Sequence, residues 1–326
     1  MTGQGVTRPL AGRTILVTGA TGFIGRPLCR ALLAAGATVR GSSRERGDPP
    51  APGVERVKVA DPLDRRAVRA TVAGTDAVVH LAARAHVMRE TAADPLAQFR
   101  QANVEATRVL AEEAAAVGVR QLVLASTVKA VGESTSTPWT EHTPPNPVDP
   151  YGRSKLEAER LLGELSERRG IGVTVLRLPL VSGPGVKGNL LRLFGLVDRG
   201  IPLPLGRVHN RRSMLYLGNL AAAVQSVLER SQGGHRTYFV TDLRDLSLPE
   251  LLRLIGAALG RPARLVPVPV PLLRMLLPSA EATRLIGSLA VDGLSLSRAT
   301  GYHPPFAVEE GLRATAEWYR SAREVK

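Results

Sequence analysis

One cysteine in 326 residues, Cys29, leaves no internal disulfide to staple a fold. Aromatic side chains make up only 4% of the chain, too few for the stacking platforms of a nucleic-acid groove. No apolar run approaches the roughly 20 residues that a membrane-spanning helix needs. The opening stretch, 1–12, is short and polar and lacks the apolar core of a secretory leader. Together these absences exclude a secreted disulfide scaffold and point to a cytoplasmic protein with no membrane and no nucleic-acid partner. Acidic residues are scarce as well, 29 against 43 Lys and Arg, for a net charge of +14. The surplus is arginine scattered along the chain, with no basic tract, as expected from compositional bias plus a few arginines serving an anionic ligand. His80 and His86 have no acids at metal-ligating spacing, so no metal is expected.

What the chain does contain is organised around T-G-A-T-G-F-I-G, residues 18–25. The apolar run Thr14-Ile15-Leu16-Val17 before it reads as a fully buried parallel strand. The Ala- and Leu-rich stretch behind it, 23–35, reads as a helix closed by Gly36. Three glycines at a strand-to-helix turn have distinct uses. Gly19 takes the tight turn, Gly22 lets the backbone approach a pyrophosphate, and Gly25 permits close helix–strand packing. The pyrophosphate would lie at the helix N-terminus, which makes Gly19, Thr21, Gly22, Phe23, Ile24 and Gly25 dinucleotide-binding candidates.

Further strands are expected at 38–40, 54–59, 76–81, 121–125 and 171–178, with helices between them, including a long one over 95–117 that carries Asn103. Strands alternating with helices over this length predict a doubly wound parallel sheet of α/β class, a Rossmann fold. Ligands in such sheets bind beyond the carboxyl ends of the strands. Ser43 and Arg44, Asp61, Leu81 with Ala82 and Ala83, and Pro179 all follow strands and join the cofactor-binding set. An acid at the end of the second strand would select a free ribose 2′-hydroxyl; Ser43 and Arg44 stand there instead, which suits a 2′-phosphate. The dinucleotide domain is expected over 11–178, with strands near 213–217 and 237–241 returning to it. Residues 179–326 then form mainly a smaller, discontinuous C-terminal lobe.

Tyr151 and Lys155 lie four residues apart at a helix start, hence on one face. A phenol with an ordinary pKa of roughly 10 is a poor base. A neighbouring ammonium and a nicotinamide's positive charge would favour the phenolate. Thr127, after the strand over 121–125, is placed to hold the hydroxyl or carbonyl on which Tyr151 acts, with Ser126 close enough to share that role.

G-A-T-G-F-I-G, V-V-H-L-A-A, S-T-V-K-A-V-G-E, Y-G-R-S-K and the closing G-Y-H-P-P-F-A-V-E-E-G-L resemble, over nearly the whole chain, the extended short-chain dehydrogenase/reductases. Within them the likeness is to the nucleotide-sugar epimerases and dehydratases. It implies Thr127, Tyr151 and Lys155 as the catalytic set, and a second lobe that binds a nucleotide diphosphate through Asn189 and Arg212. His86 is implied near the sugar. The dehydratases place Asp-Glu directly after the catalytic Thr, whereas this chain has Val128-Lys129, which argues against dehydration. The expected activity is epimerisation at C4 of a UDP-linked hexose through a 4-keto intermediate, with NAD or NADP, in a homodimer. The alternative is an NADPH-dependent 4-ketoreductase of a nucleotide-linked deoxysugar, and a third reading is a dinucleotide sensor without turnover.

Overall fold

The computed structural model describes residues 8–44, 49–85, 94–230, 233–276 and 278–324. The elements in chain order are β1 (Thr14–Thr18), α1 (Gly25–Ala34), β2 (Thr38–Ser43), β3 (Glu55–Lys58), α2 (Arg65–Val72), β4 (Ala77–His80), α3 (Pro95–Arg100), α4 (Ala106–Ala116), β5 (Gln121–Thr127) and α5 (Pro150–Arg169). They continue as β6 (Gly172–Leu178), β7 (Leu180–Ser182), α6 (Gly188–Asp198), β8 (Arg212–Tyr216), α7 (Leu217–Glu229), β9 (His235–Phe239), β10 (Asp245–Leu246), α8 (Leu248–Leu259), α9 (Val270–Leu276), α10 (Ser279–Ile286), α11 (Leu294–Thr300) and α12 (Val308–Glu324).

Seven parallel strands form the large sheet in the order β3-β2-β1-β4-β5-β6-β9. This is the doubly wound, Rossmann-type α/β architecture. Apolar side chains on both faces explain why the strands read as unbroken apolar runs. Ile15 and Val17 of β1 pack on one side with Leu28 and Leu32 of α1 and Leu220 and Val224 of α7. Leu16 points the other way, toward Val109 of α4 and Leu162 of α5.

The strand ends line up by register. Thr18 stands opposite Ser42 and His80, and Thr127 opposite Leu178. Thr18, Ser42 and His80 therefore sit side by side at the carboxyl ends of β1, β2 and β4, and Thr127 and Leu178 at those of β5 and β6.

Beyond β6 the chain builds a second layer. β8 pairs with β7 in parallel and with β10 antiparallel, in a separate three-stranded sheet. The strand expected near 213–217 thus belongs to this small sheet and does not return to the large one, whereas β9 does pair with β6. A separate core, with Leu190 and Phe194 of α6, Leu251 and Leu252 of α8, and Leu312 and Ala316 of α12, holds this layer together. Ser247 starts α8 with a capping box, accepting from the Glu250 N–H.

The segment 95–117 is not one uniform helix. Between α3 and α4 the backbone widens into a π-helical turn, Gln101–Glu105, around Asn103. Such turns arise where a side chain is needed elsewhere than an α-helix would aim it.

Candidate active site

The glycine turn between β1 and α1 is as tight as its sequence implies. Gly19 has φ +66°, and a Cβ on it would come within 2.9 Å of the Ala82 nitrogen. At Gly25 a Cβ would overlap the Gly19 and Ala20 carbonyl oxygens. Only glycine lets α1 start so close to β1. Thr21 and Gly22 are exposed at the open side of the turn, and Phe23 and Ile24 are half-buried. Ile24 packs on the core of the large sheet and Phe23 on that of the second layer.

Around this turn, Ser43 closes β2 and Arg44 is exposed just past it. Asp61 is exposed, its carboxylate accepting from the Leu63 N–H at 2.9 Å. Leu81 is half-buried, Ala82 and Ala83 are exposed, and Pro179 is buried where β6 passes into β7.

Asn103 ties the strand-end segment down from the opposite side. Its Oδ1 accepts from the Arg84 N–H at 2.7 Å. Its Nδ2 donates to the Arg84 carbonyl at 3.1 Å and to Ser154 Oγ at 3.0 Å. Ser154 in turn donates to the Tyr151 carbonyl at 2.8 Å. One amide thus joins the loop after β4 to the first turn of α5, a function the sequence did not disclose beyond placing Asn103 on a helix.

Tyr151 and Lys155 rise from the first turns of α5. Asp149 caps this helix, accepting from the Gly152 N–H at 2.6 Å, and Pro150 takes the first position, where its missing N–H costs nothing. The Tyr151 ring meets Phe99 with centroids 6.1 Å apart. Lys155 is 2% exposed, and among the described residues no hydrogen-bond partner meets its ammonium. Burial lowers its pKa to about 8, partly offset by Glu159 one turn further on.

The phenol does not follow the sequence-based expectation of a lowered pKa. Burial, with the Asp149 carboxylate second, pushes Tyr151 up to about 12. The chain alone holds this group as a protonated phenol, and a positive charge brought by a ligand is needed to favour the phenolate.

Thr127 ends β5 and caps a short 3₁₀ turn, Val128–Ala130, its Oγ1 accepting from the Lys129 N–H at 3.3 Å. Ser126, its neighbour on the strand, points elsewhere. Its hydroxyl donates to Glu159, which pairs with Arg177 at 2.7 Å, all three buried. Alternation along the strand separates the two hydroxyls, and that of Ser126 is engaged by this ion pair.

The residues implied in the second layer stand on two different elements. Asn189 is exposed in the first turn of α6. Arg212 opens β8, half-buried, and donates to the Leu285 carbonyl at 3.3 Å. Burial lowers its pKa against the attraction of Glu133. Glu133, Trp139, Asn146 and Thr283 line a cavity of about 500 Å³. His86 lies outside the described residues.

A doubly wound parallel sheet with a glycine turn after its central strand β1 is the architecture of dinucleotide-binding folds. The NAD dependent epimerase/dehydratase family matches residues 15–240, and the chain belongs to that family. It is 33% identical over 317 residues to a Vibrio cholerae protein called UDP-glucose 4-epimerase, covering 95% of this chain and 96% of that one. It is 30% identical over 334 residues to dTDP-glucose 4,6-dehydratase of Streptomyces griseus, covering 95% and 94%. Among solved structures, Thermus thermophilus UDP-glucose 4-epimerase in complex with NAD superposes with a TM-score of 0.76 at 26% identity, over 95% of this chain and 99% of that one. Among the described residues no helix is long and apolar enough to cross a membrane.

Proposed function

We propose that the protein is a nucleotide-sugar 4-epimerase acting on a UDP-linked hexose. What supports this reading is that Thr127, Tyr151 and Lys155 stand at the family's motif positions, with Val128-Lys129 where the dehydratases carry two acids. The relative from Vibrio cholerae called UDP-glucose 4-epimerase supports the substrate class.

A nicotinamide dinucleotide fits the glycine turn, the exposed Ala82-Ala83 segment and the Lys155 ammonium, and when bound it supplies the hydride acceptor and donor. Thr127 Oγ1 holds the C4 hydroxyl of the sugar, and Tyr151 Oη takes its proton as the alcohol is oxidised. Lys155 donates to the dinucleotide ribose and, as a cation, lowers the cost of the phenolate. Tyr151 then returns the proton to the 4-keto oxygen once the sugar has presented its other face. Arg212 and Asn189 are assigned to the diphosphate, Arg212 through charge-assisted hydrogen bonds.

The test uses the substrate. Incubated with NAD and UDP-galactose or its N-acetyl analogue, the protein interconverts C4 epimers with no lasting change at the reduced-nicotinamide absorption band. If these sugars stay untouched while a 4-keto sugar nucleotide drains NADPH stoichiometrically, the epimerase reading falls.

A second reading, an NADPH-dependent 4-ketoreductase, is favoured by two observations. A phenol held at about 12 is suited to donating a proton to a keto oxygen, and Ser43 and Arg44 offer no acid to reject a 2′-phosphate.

A further inference from the structure

Where the dehydratases carry the second of their two acids, this chain carries Lys129, and its ammonium is fully engaged. Lys129 Nζ pairs with Asp149 at 2.6 Å and with Glu133 at 2.8 Å. The three residues come from the 3₁₀ turn after Thr127, the loop beyond it, and the cap of α5. Backbone reinforces the junction, since a Cβ on Gly152 would overlap the Lys129 carbonyl. Asp149 therefore has two tasks. One oxygen caps the helix at the Gly152 N–H and the other takes the lysine.

The position matters because Asp149 lies two residues before Tyr151 and is the charged group that adds to burial in raising the phenol's pKa. Burial opposes charge on both members of the pair. Lys129 is nonetheless held above the usual lysine range by the two carboxylates, and Asp149 below the usual carboxylate range by the ammonium and the Gly152 N–H. Both stay ionised across neutral pH. Arg84 stacks over Phe99 at 5.3 Å, and Phe99 in turn meets the Tyr151 ring.

We propose that Lys129 is a positioning residue for Tyr151: its ammonium locks the end of β5 to the first turn of α5 and screens the Asp149 carboxylate from the phenol. The substitution of an acid by Lys129 thus removes the proton-shuttling group of the dehydratases and supplies a counter-charge for the remaining acid–base residue. The inference rests on Tyr151 as the acid–base group.

The test is a pH titration of Tyr151, read as the ultraviolet difference spectrum between each protein and the same protein carrying Tyr151→Phe, with the oxidised dinucleotide present. Lys129→Met exposes two carboxylates to the phenol, so its titration moves to higher pH by about one unit. Lys129→Arg keeps the charge and brings the titration back. Asp149→Asn, which still caps the helix, moves it the other way. Turnover of UDP-galactose follows, with Lys129→Met about tenfold slower at a pH below the inflection and recovering above it. A Lys129→Met protein whose phenol titrates as in the unaltered chain overturns the proposal, and so does a loss of turnover equal at every pH. Full turnover in Tyr151→Phe itself overturns the function reading instead, so the two failures are distinguishable.

Discussion

Thr18 Oγ1 and His80 Nδ1 lie 2.7 Å apart across adjacent strands of the large sheet, and the bonds around them fix which is the donor. Ala82 donates its N–H to Thr18 Oγ1 at 3.2 Å. On the other side His80 Nε2 meets Thr107 Oγ1 at 3.0 Å, and Thr107 gives its own proton to the Asn103 carbonyl at 2.6 Å. Thr107 must therefore accept from Nε2–H, which leaves Nδ1 to accept from Thr18. A neutral imidazole of one tautomer connects the loop after β4 to the π-helical turn. Burial, with Lys155 second, depresses its pKa to about 3.

This gives a signed pH effect on stability. His80 gains its proton near pH 6.5 when unfolded but only near 3 when folded, so the unfolded state binds more protons between those values. The contribution is complete above the unfolded pKa and is lost as pH falls, by roughly 1.4 kcal/mol per unit. In denaturant titrations from pH 7 down to pH 4.5, His80→Gln, which can still donate toward Thr107, should show a slope shallower by about one proton. An unchanged slope would mean that the ring is protonated in place.

The two hydroxyls at the end of β5 should separate cleanly under mutation. Thr127→Val removes the hydroxyl assigned to the substrate, and turnover should drop by about 10²-fold. Ser126→Ala removes a donor to Glu159, which keeps its Arg177 partner. Turnover should stay within about twofold while stability falls by about 1 kcal/mol. A Ser126→Ala enzyme as impaired as Thr127→Val would return the shared role to Ser126.

The surroundings of Ser126 are not legible in the sequence. The segment 121–125 looked finished because two polar residues followed it, yet β5 runs on to Thr127 through its pairing with β6. A polar residue inside a strand then takes whichever face its register dictates, and the buried Glu159–Arg177 pair that receives it comes from distant positions. The glycine turn and the Tyr151/Lys155 spacing were legible because each is a local pattern whose meaning a strand or helix start completes. Sheet membership was not. The strand near 213–217 announces itself by its apolar residues, but its partners, β7 and β10, span three and two residues and leave no periodicity to read. The Lys129–Asp149–Glu133 cluster is hidden for the same reason, since twenty residues separate the lysine from its cap.

A substitution at Arg44 tests the proposed choice between the two dinucleotides. With no acid at the end of β2, the side chain just beyond it is placed to meet a 2′-phosphate. Arg44→Ala should weaken NADPH relative to NADH by about 1.5 to 3 kcal/mol, the range for a hydrogen bond to a charged group. Isothermal titration with both dinucleotides checks this. Equal losses for the two would make Arg44 a solvated side chain and favour NAD.

Lys155 should show stability and activity pulling in opposite directions. The Lys155 side chain is 2% exposed. Its pKa falls from 10.5 to about 8, so its charge disfavours folding at neutral pH, and that cost is relieved as pH rises through the folded pKa. Lys155→Met keeps the length of the side chain and removes the charge. The variant should be more stable at neutral pH by about 1 to 3 kcal/mol, the cost of an uncompensated buried polar group. The same variant should lose dinucleotide affinity and nearly all turnover, because the ammonium is assigned to the ribose and to the phenolate. In the unaltered protein, dinucleotide affinity should decline as pH rises past about 8, where Lys155 gives up its proton. Denaturant unfolding and dinucleotide titration on the same two proteins measure both sides of this trade. A destabilised Lys155→Met that still binds the dinucleotide normally would make Lys155 a packing residue and remove it from the site.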